Sequence, residues 1–168
     1  MKTARHSSEF AAVAQRHQRV LISIARSYAS TADRDDLLQD MLLALWHALP
    51  GFEARSSETT FVYRVALNTA LAWNRKERKH HRERQDFESA ASVLTAPAAR
   101  DPRLDWIYQQ ISELDEVNRS LALLMLDGFS YRDMSQILGL TESNVGVKIN
   151  RIKAALSARL AKEEHDGL

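Results

Sequence analysis

The sequence predicts an all-α fold: two small helical domains joined by a flexible linker, the C-terminal one a helix-turn-helix. Three observations predict it. Apolar residues recur at spacings of three and four in block after block, and the alternating pattern of strands is absent. Five Gly and three Pro in 168 residues are too few for the many turns of an all-β chain. Capping residues and a glycine corner punctuate residues 127–160 as two helices and a tight turn.

Residues 8–28 read as one helix, with Phe10, Val13, Ala14, Leu21, Ile24, Ala25 and Tyr28 at helical spacing and Arg16, Arg19 and Arg26 on other faces. Plain core packing accounts for it. Asp33 is placed to cap a second helix, with Asp36 three residues on. Leu37, Leu38, Met41, Leu42, Leu45, Trp46 and Leu49 make its apolar stripe, and Pro50-Gly51 stops it. Asp35, Asp36, Gln39 and Asp40 form the exposed edge. Acids near a helix start favour the dipole; the same edge also suits docking to a basic partner.

Residues 52–58 read as a loop, and a third helix follows over about 59–82. Its first half is apolar at Phe61, Val62, Val65, Ala66 and Leu71, its second half is basic, and Trp73 stands at the junction. Phe61, Tyr63 and Trp73 are interleaved with cations. Aromatics beside positive charge can stack on unpaired bases; a core aromatic on a solvated basic helix fits the same pattern.

Residues 83–102 carry Ala, Ser, Pro97, Pro102 and mixed charges, the composition of an unstructured linker. The division is therefore 1–82, a linker over 83–102, and 103–168. Leu104, Ile107, Tyr108, Ile111 and Leu114 make a fourth amphipathic helix. Asp115 caps a fifth, with Val117, Leu121, Leu124 and Met125, and together these two shelter the buried side of the last pair.

That last pair carries the densest local signals. Asp127-Gly128 ends the preceding helix, since Gly tolerates a left-handed cap. Ser130 caps the next helix with Asp133 at the capping-box position. Met134, Ile137 and Leu138 give it one apolar face. Gly139 breaks it, Leu140 plugs the corner and Thr141 caps the following helix. Val145, Ile149, Ile152 and Leu156 form the buried stripe there, with Ser143, Asn144, Lys148, Asn150, Arg151 and Lys153 off it. A helix-turn-helix places such a second helix in the DNA major groove; an ordinary helical hairpin with a solvated face has the same pattern.

Composition bounds the rest. Hydrophobic residues at 45% suffice for a core, and the absence of cysteine excludes disulfides and thiolate metal sites and fits a reducing cytoplasm. No apolar run approaches the ~20 residues of a membrane span, so no membrane insertion is expected. The N-terminal MKTARHSSEF lacks the apolar centre of a secretion signal. Net charge is only +1, yet Arg55, Arg64, Arg75, Lys76, Arg78, Lys79, Arg82 and Arg84 face just Glu58, Glu77 and Glu83 in their stretch. The six histidines show no ligand or triad spacing, and no glycine loop cradles a phosphate. Neither an enzyme nor a cofactor is expected.

Three blocks in this order resemble the extracytoplasmic-function group of bacterial RNA polymerase sigma factors. DRDDLLQDMLLALWHAL, from Asp33, is similar to the segment that docks on the clamp of the polymerase largest subunit. TTFVYRVALNTALAWNRKERKHHR, from Thr59, is similar to the promoter-melting segment, and residues 114–160 resemble the C-terminal helix-turn-helix domain.

The resemblance implies a transcription initiation factor that directs polymerase core to promoters. Asp36, Gln39 and Asp40 would bind the core. Arg64, Asn68, Trp73, Arg75, Lys76, Arg78 and Lys79 would hold the melted minus-ten strand. Ser143, Asn144, Val147, Lys148, Asn150 and Arg151 would read the minus-thirty-five duplex, while the flap of the second-largest subunit packs on the other side. An anti-sigma factor is a further implied partner. The chain departs from the family in having Gly146 where a basic residue is usual, Asp115 where proline is frequent and Ser135 where alanine is. A stand-alone helix-turn-helix repressor or activator is the competing expectation; it needs a dimer to reach two half-sites and leaves the basic third helix unexplained.

Overall fold

The computed structural model describes the backbone of residues 2–84 and 102–166, and the side chains of 6–75 and 103–162. Within them lie α1 (Lys2–Arg16), α2 (Gln18–Tyr28), α3 (Arg34–Ala48), a single 3-10 turn (Leu49–Gly51), α4 (Glu58–Arg84), α5 (Pro102–Ser112), α6 (Glu116–Leu126), α7 (Tyr131–Leu138) and α8 (Glu142–Asp166), with no strand among the described residues.

The helix expected over residues 8–28 is two, broken at His17. The cause is tertiary. His17 is buried, and its Nε2 lies 2.8 Å from Oε1 of Glu58, the first residue of α4. Arg16 grips the same carboxylate with two hydrogen bonds, at 3.0 and 2.8 Å. The Arg16 contact, then that of His17, holds the Glu58 carboxyl below the usual carboxylate range against the opposing effect of burial. Downstream, α2, α3 and α4 pack together around Leu21, Ile24, Leu37, Met41, Leu45, Val62, Ala66 and Leu67. On the outer side, Phe10 of α1 meets the Trp46 ring edge-on at 5.2 Å.

Two local expectations need correcting. Asp33 stands at the N-cap of α3 but makes no capping hydrogen bond; its carboxylate accepts the Ser30 hydroxyl instead. Tyr63 is not free to stack on a base. It is fully buried, and its ring meets Phe129, just before α7, edge-on at 4.8 Å.

The second half forms around α6, α7 and α8, with Leu121, Leu123, Leu124, Met134, Ile137, Val145, Ile149 and Ile152 in the core. Asp115 caps α6 by accepting from the Asn118 amide at 3.1 Å, as its position predicts. Val117 and Leu104, expected inside, are exposed. The fourth helix ends at Ser112, so Leu114 lies in the turn after it. Nor does α5 only shelter the last pair: it packs on α2 of the first half as well as on α6.

That contact belongs to a seam between the halves. Ser23 donates to the Tyr108 hydroxyl at 2.8 Å, and Arg26 pairs with Asp105 at 2.9 Å. Tyr28 donates to the Glu116 carbonyl at 3.0 Å and lies 2.6 Å from the Ser120 hydroxyl. The Arg119 guanidinium sits 4.8 Å from the centre of the Tyr28 ring. The linker expected over 83–102 falls outside the described residues except at its ends, which α4 and α5 take up.

Candidate nucleic-acid and polymerase interfaces

The recognition hairpin is built by its caps. Ser130 accepts the Asp133 amide at 3.1 Å and donates to the Asp133 carboxylate at 2.6 Å. Gly139 closes α7 in the left-handed region at φ 68, where a Cβ would be strained. Thr141 accepts the Asn144 amide at 3.2 Å and starts α8. Since Val145, Ile149 and Ile152 are buried, helical geometry turns the intervening residues outward. Ser143, Asn144, Val147, Asn150 and Arg151 are all exposed and Lys148 is half-exposed. The structure therefore gathers the six residues expected to read a duplex along the outside of one helix.

The expected strand-binding set divides. Arg64, Asn68 and Arg75 are exposed and, at spacings of four and seven, share one face of α4. Trp73 is nine residues from Arg64, which at about 100° per residue is the opposite face, and it packs against the core. The side chains of Lys76, Arg78 and Lys79 lie outside the described residues.

Beside Arg64 is a feature that the sequence reading passed over as a loop. Gly51, Phe52, Glu53, Arg55, Ser56, Phe61 and Arg64 line a cavity of about 330 Å³. Phe52 and Phe61 lie against each other at 4.6 Å with planes inclined by 33°. Ala54 takes the left-handed backbone at φ 55, a non-glycine strain found, among the described residues, in this loop. The available signal was two Phe and two Arg in the stretch from Phe52 to Arg64, after the Pro50-Gly51 stop. Arg55 pairs with Glu53 at 2.6 Å, while the aromatics and Arg64 give the cavity stacking surface and positive charge.

On α3, Asp36, Gln39 and Asp40 are exposed together as expected. Leu43 continues their stripe one turn further and is 57% exposed. An apolar side chain so placed among acids is suited to anchoring a partner. Its signal was the spacing of three from Asp40, off the stripe that faces the core.

Among the described residues no group of three His, Asp or Glu is placed to hold a metal ion. No described helix is long and apolar enough to cross a membrane.

Two family models match the chain, one to each half. Sigma-70 region 2 matches residues 13–80 and Sigma-70, region 4 matches residues 104–156. The chain is an extracytoplasmic-function sigma factor. Its similarity to curated relatives runs nearly end to end. It is 28% identical to the RNA polymerase sigma factor NccH of Alcaligenes xylosoxydans xylosoxydans over 92% of this chain and 88% of that one. With the ECF RNA polymerase sigma-E factor of Escherichia coli it shares 25% identity over 86% of this chain and 83% of that protein. The fold matches the sigma factor RpoE solved with the anti-sigma factor NepR from Bartonella quintana, at TM-score 0.72, 25% identity and coverage of 91% and 97%. CnrH, solved with the cytosolic domain of CnrY, matches at TM-score 0.65 and 26% identity over 95% of each chain. This sigma factor thus has the all-helical architecture of its group and acts in transcription initiation.

Proposed function

We propose that this sigma factor divides its work among three exposed surfaces, each on its own helix. Asp36, Gln39 and Asp40 on α3, with Leu43 as apolar anchor, bind the clamp of the polymerase largest subunit. Arg64, Asn68 and Arg75 on α4, continued by Lys76, Arg78 and Lys79, hold the unpaired minus-ten strand. Trp73 supports that helix from its core side. Melting makes and breaks no covalent bond; it needs a sink for extruded bases. The Phe52–Phe61 cavity beside Arg64 supplies aromatic surface and charge for one.

On α8, Ser143, Asn144, Val147, Lys148, Asn150 and Arg151 read the minus-thirty-five duplex, and the flap of the second-largest subunit covers the opposite side of that domain. Asn150 and Arg151 carry the groups for bidentate reading of A and G. The boundaries 1–82, 83–102 and 103–168 then separate strand binding, linker and duplex reading. The protein works in the cytoplasm, where polymerase is, and catalyses no reaction. An anti-sigma factor is a further partner, supported by the structural relative RpoE, solved with the anti-sigma factor NepR.

The observation that carries this reading is the joint exposure of the acid edge on α3 and the polar-basic outer face of α8, each opposite a buried apolar stripe of its own helix. Run-off transcription from genomic fragments with polymerase core tests it: specific transcripts require both components. Asp40→Arg keeps the melting temperature and lowers core affinity in a pull-down by at least about tenfold, the scale of losing one buried interfacial charge contact. Unchanged affinity places the docking surface elsewhere.

A further inference from the structure

Gly146 lies in the interior of α8, where glycine weakens a helix. A Cβ at this position would lie 3.4 Å from Cε2 of Tyr131 and 3.7 Å from Cδ2. The Tyr131 ring therefore has its seat beside Gly146 on the flank of the recognition helix, where an added Cβ would just touch it. Tyr131 is the first residue of α7, directly after the Ser130 cap, so its backbone is held by the hairpin. It is nonetheless 40% exposed. Val147, next to the seat, is 49% exposed. Asn150 follows Gly146 by one turn and is exposed on the same flank.

In the N-terminal half of α8 the outer face is otherwise polar, with Ser143, Asn144, Asn150 and Arg151 exposed. A ring and an isopropyl group beside one glycine are its apolar part. In the major groove, donors and acceptors cover the edges of every base pair, and the apolar group on offer is the C5 methyl of thymine. We infer that Tyr131, beside Gly146, and Val147, the next residue of α8, select a thymine in the duplex element by contact with its methyl group. The inference rests on the reading of α8 as the duplex-reading helix and adds to it a residue from α7.

The test uses the full-length protein bound to polymerase core and a pool of duplexes randomised across the minus-thirty-five segment. Selection is expected to enrich an element with one invariant thymine. Uracil at that position removes only the methyl and weakens binding about fourfold, the scale of one buried methyl group. Val147→Ser and Tyr131→Ala each erase the thymine–uracil difference and keep the preferences elsewhere in the element. Both side chains are exposed, so an unchanged melting temperature verifies the fold. An enriched element without an invariant thymine, equal binding of uracil by the unaltered protein, or a difference that persists in both variants overturns the inference. A pool with no enrichment in this segment overturns the reading of α8 itself, and the inference with it.

Discussion

The two longest helices, α4 and α8, run 27 and 25 residues and place their functional residues in opposite ways. In α4 the anchor and most of the charge are arranged end to end, with Arg64 and Asn68 alone beside the anchor. Val62, Tyr63, Ala66, Leu67 and Ala70 are buried, and the basic run begins at Arg75, past them. In α8 they lie side by side: Val145, Ile149 and Ile152 are buried on the same turns that expose Val147, Asn150 and Arg151. A helix that reads a groove has to hold its outer face in fixed register with its core, because base edges accept a narrow geometry. A helix that grips a flexible strand can carry its cations beyond the anchor, because phosphate attraction tolerates variable geometry.

The largest expected effect comes from the anchors. Ile149→Ala and Leu67→Ala each empty a fully packed site and cost about 2–5 kcal/mol in urea unfolding. Only Ile149→Ala also degrades duplex selectivity in the population that stays folded, because its cavity lies under the reading face. If Leu67→Ala blurs duplex selectivity as much, the contrast between the helices fails.

Next comes the seam that joins the halves. Burial pushes the Tyr28 hydroxyl up to about 12, against the opposing effects of the Ser120 hydrogen bond and Arg119. Unfolded tyrosine titrates at about 10, so the folded chain favours the protonated form, a difference on the order of 3 kcal/mol. That stabilisation is complete below about pH 10 and is lost as pH rises from there to about 12. Unfolding midpoints measured across this range drop more steeply for the native chain than for Tyr28→Phe.

Smaller again is Arg151→Ala, expected to cost about 1–3 kcal/mol of binding to the selected duplex and to relax preference at one base pair. Equal weakening on all sequences would make Arg151 a phosphate contact. Salt titration then separates the two helices directly. Lys148→Ala lowers the slope of log affinity on log salt by about 0.9 for duplex, and Arg75→Ala by about 0.7 for the unpaired strand. The smallest effect is at Tyr63, whose buried hydroxyl has no hydrogen-bond partner. Tyr63→Phe removes an unsatisfied group, so stability holds or rises by up to about 1 kcal/mol, and promoter opening is unchanged.

Local chemistry was readable where it acts within a few residues. Asp115, Ser130 and Thr141 cap as their spacing indicates, and Gly139 adopts the left-handed turn. The exposed polar residues on α3 and α8 followed from apolar periodicity, because a buried stripe dictates the opposite face, whereas Val147 entered only through the family resemblance. Periodicity also identified Trp73 and Tyr63 as notable aromatics without telling which surface each would meet. Trp73 faces the core opposite Arg64, and Tyr63 is covered by Phe129, 66 positions along. The Phe52–Phe61 cavity joins a loop to a helix, and the Tyr131 seat joins two helices at a glycine; neither has a period to betray it.

By itself, then, the amino-acid order determined the helical class, the caps, the glycine corner and the sides from which charge is presented, since each depends on neighbours within a turn or two. Only tertiary packing decided the break at His17, the burial of Tyr63, the seam through Tyr28 and the ring against Gly146. These depend on groups distant in the chain that meet only once the helices have packed, and no local pattern encodes which distant group will arrive.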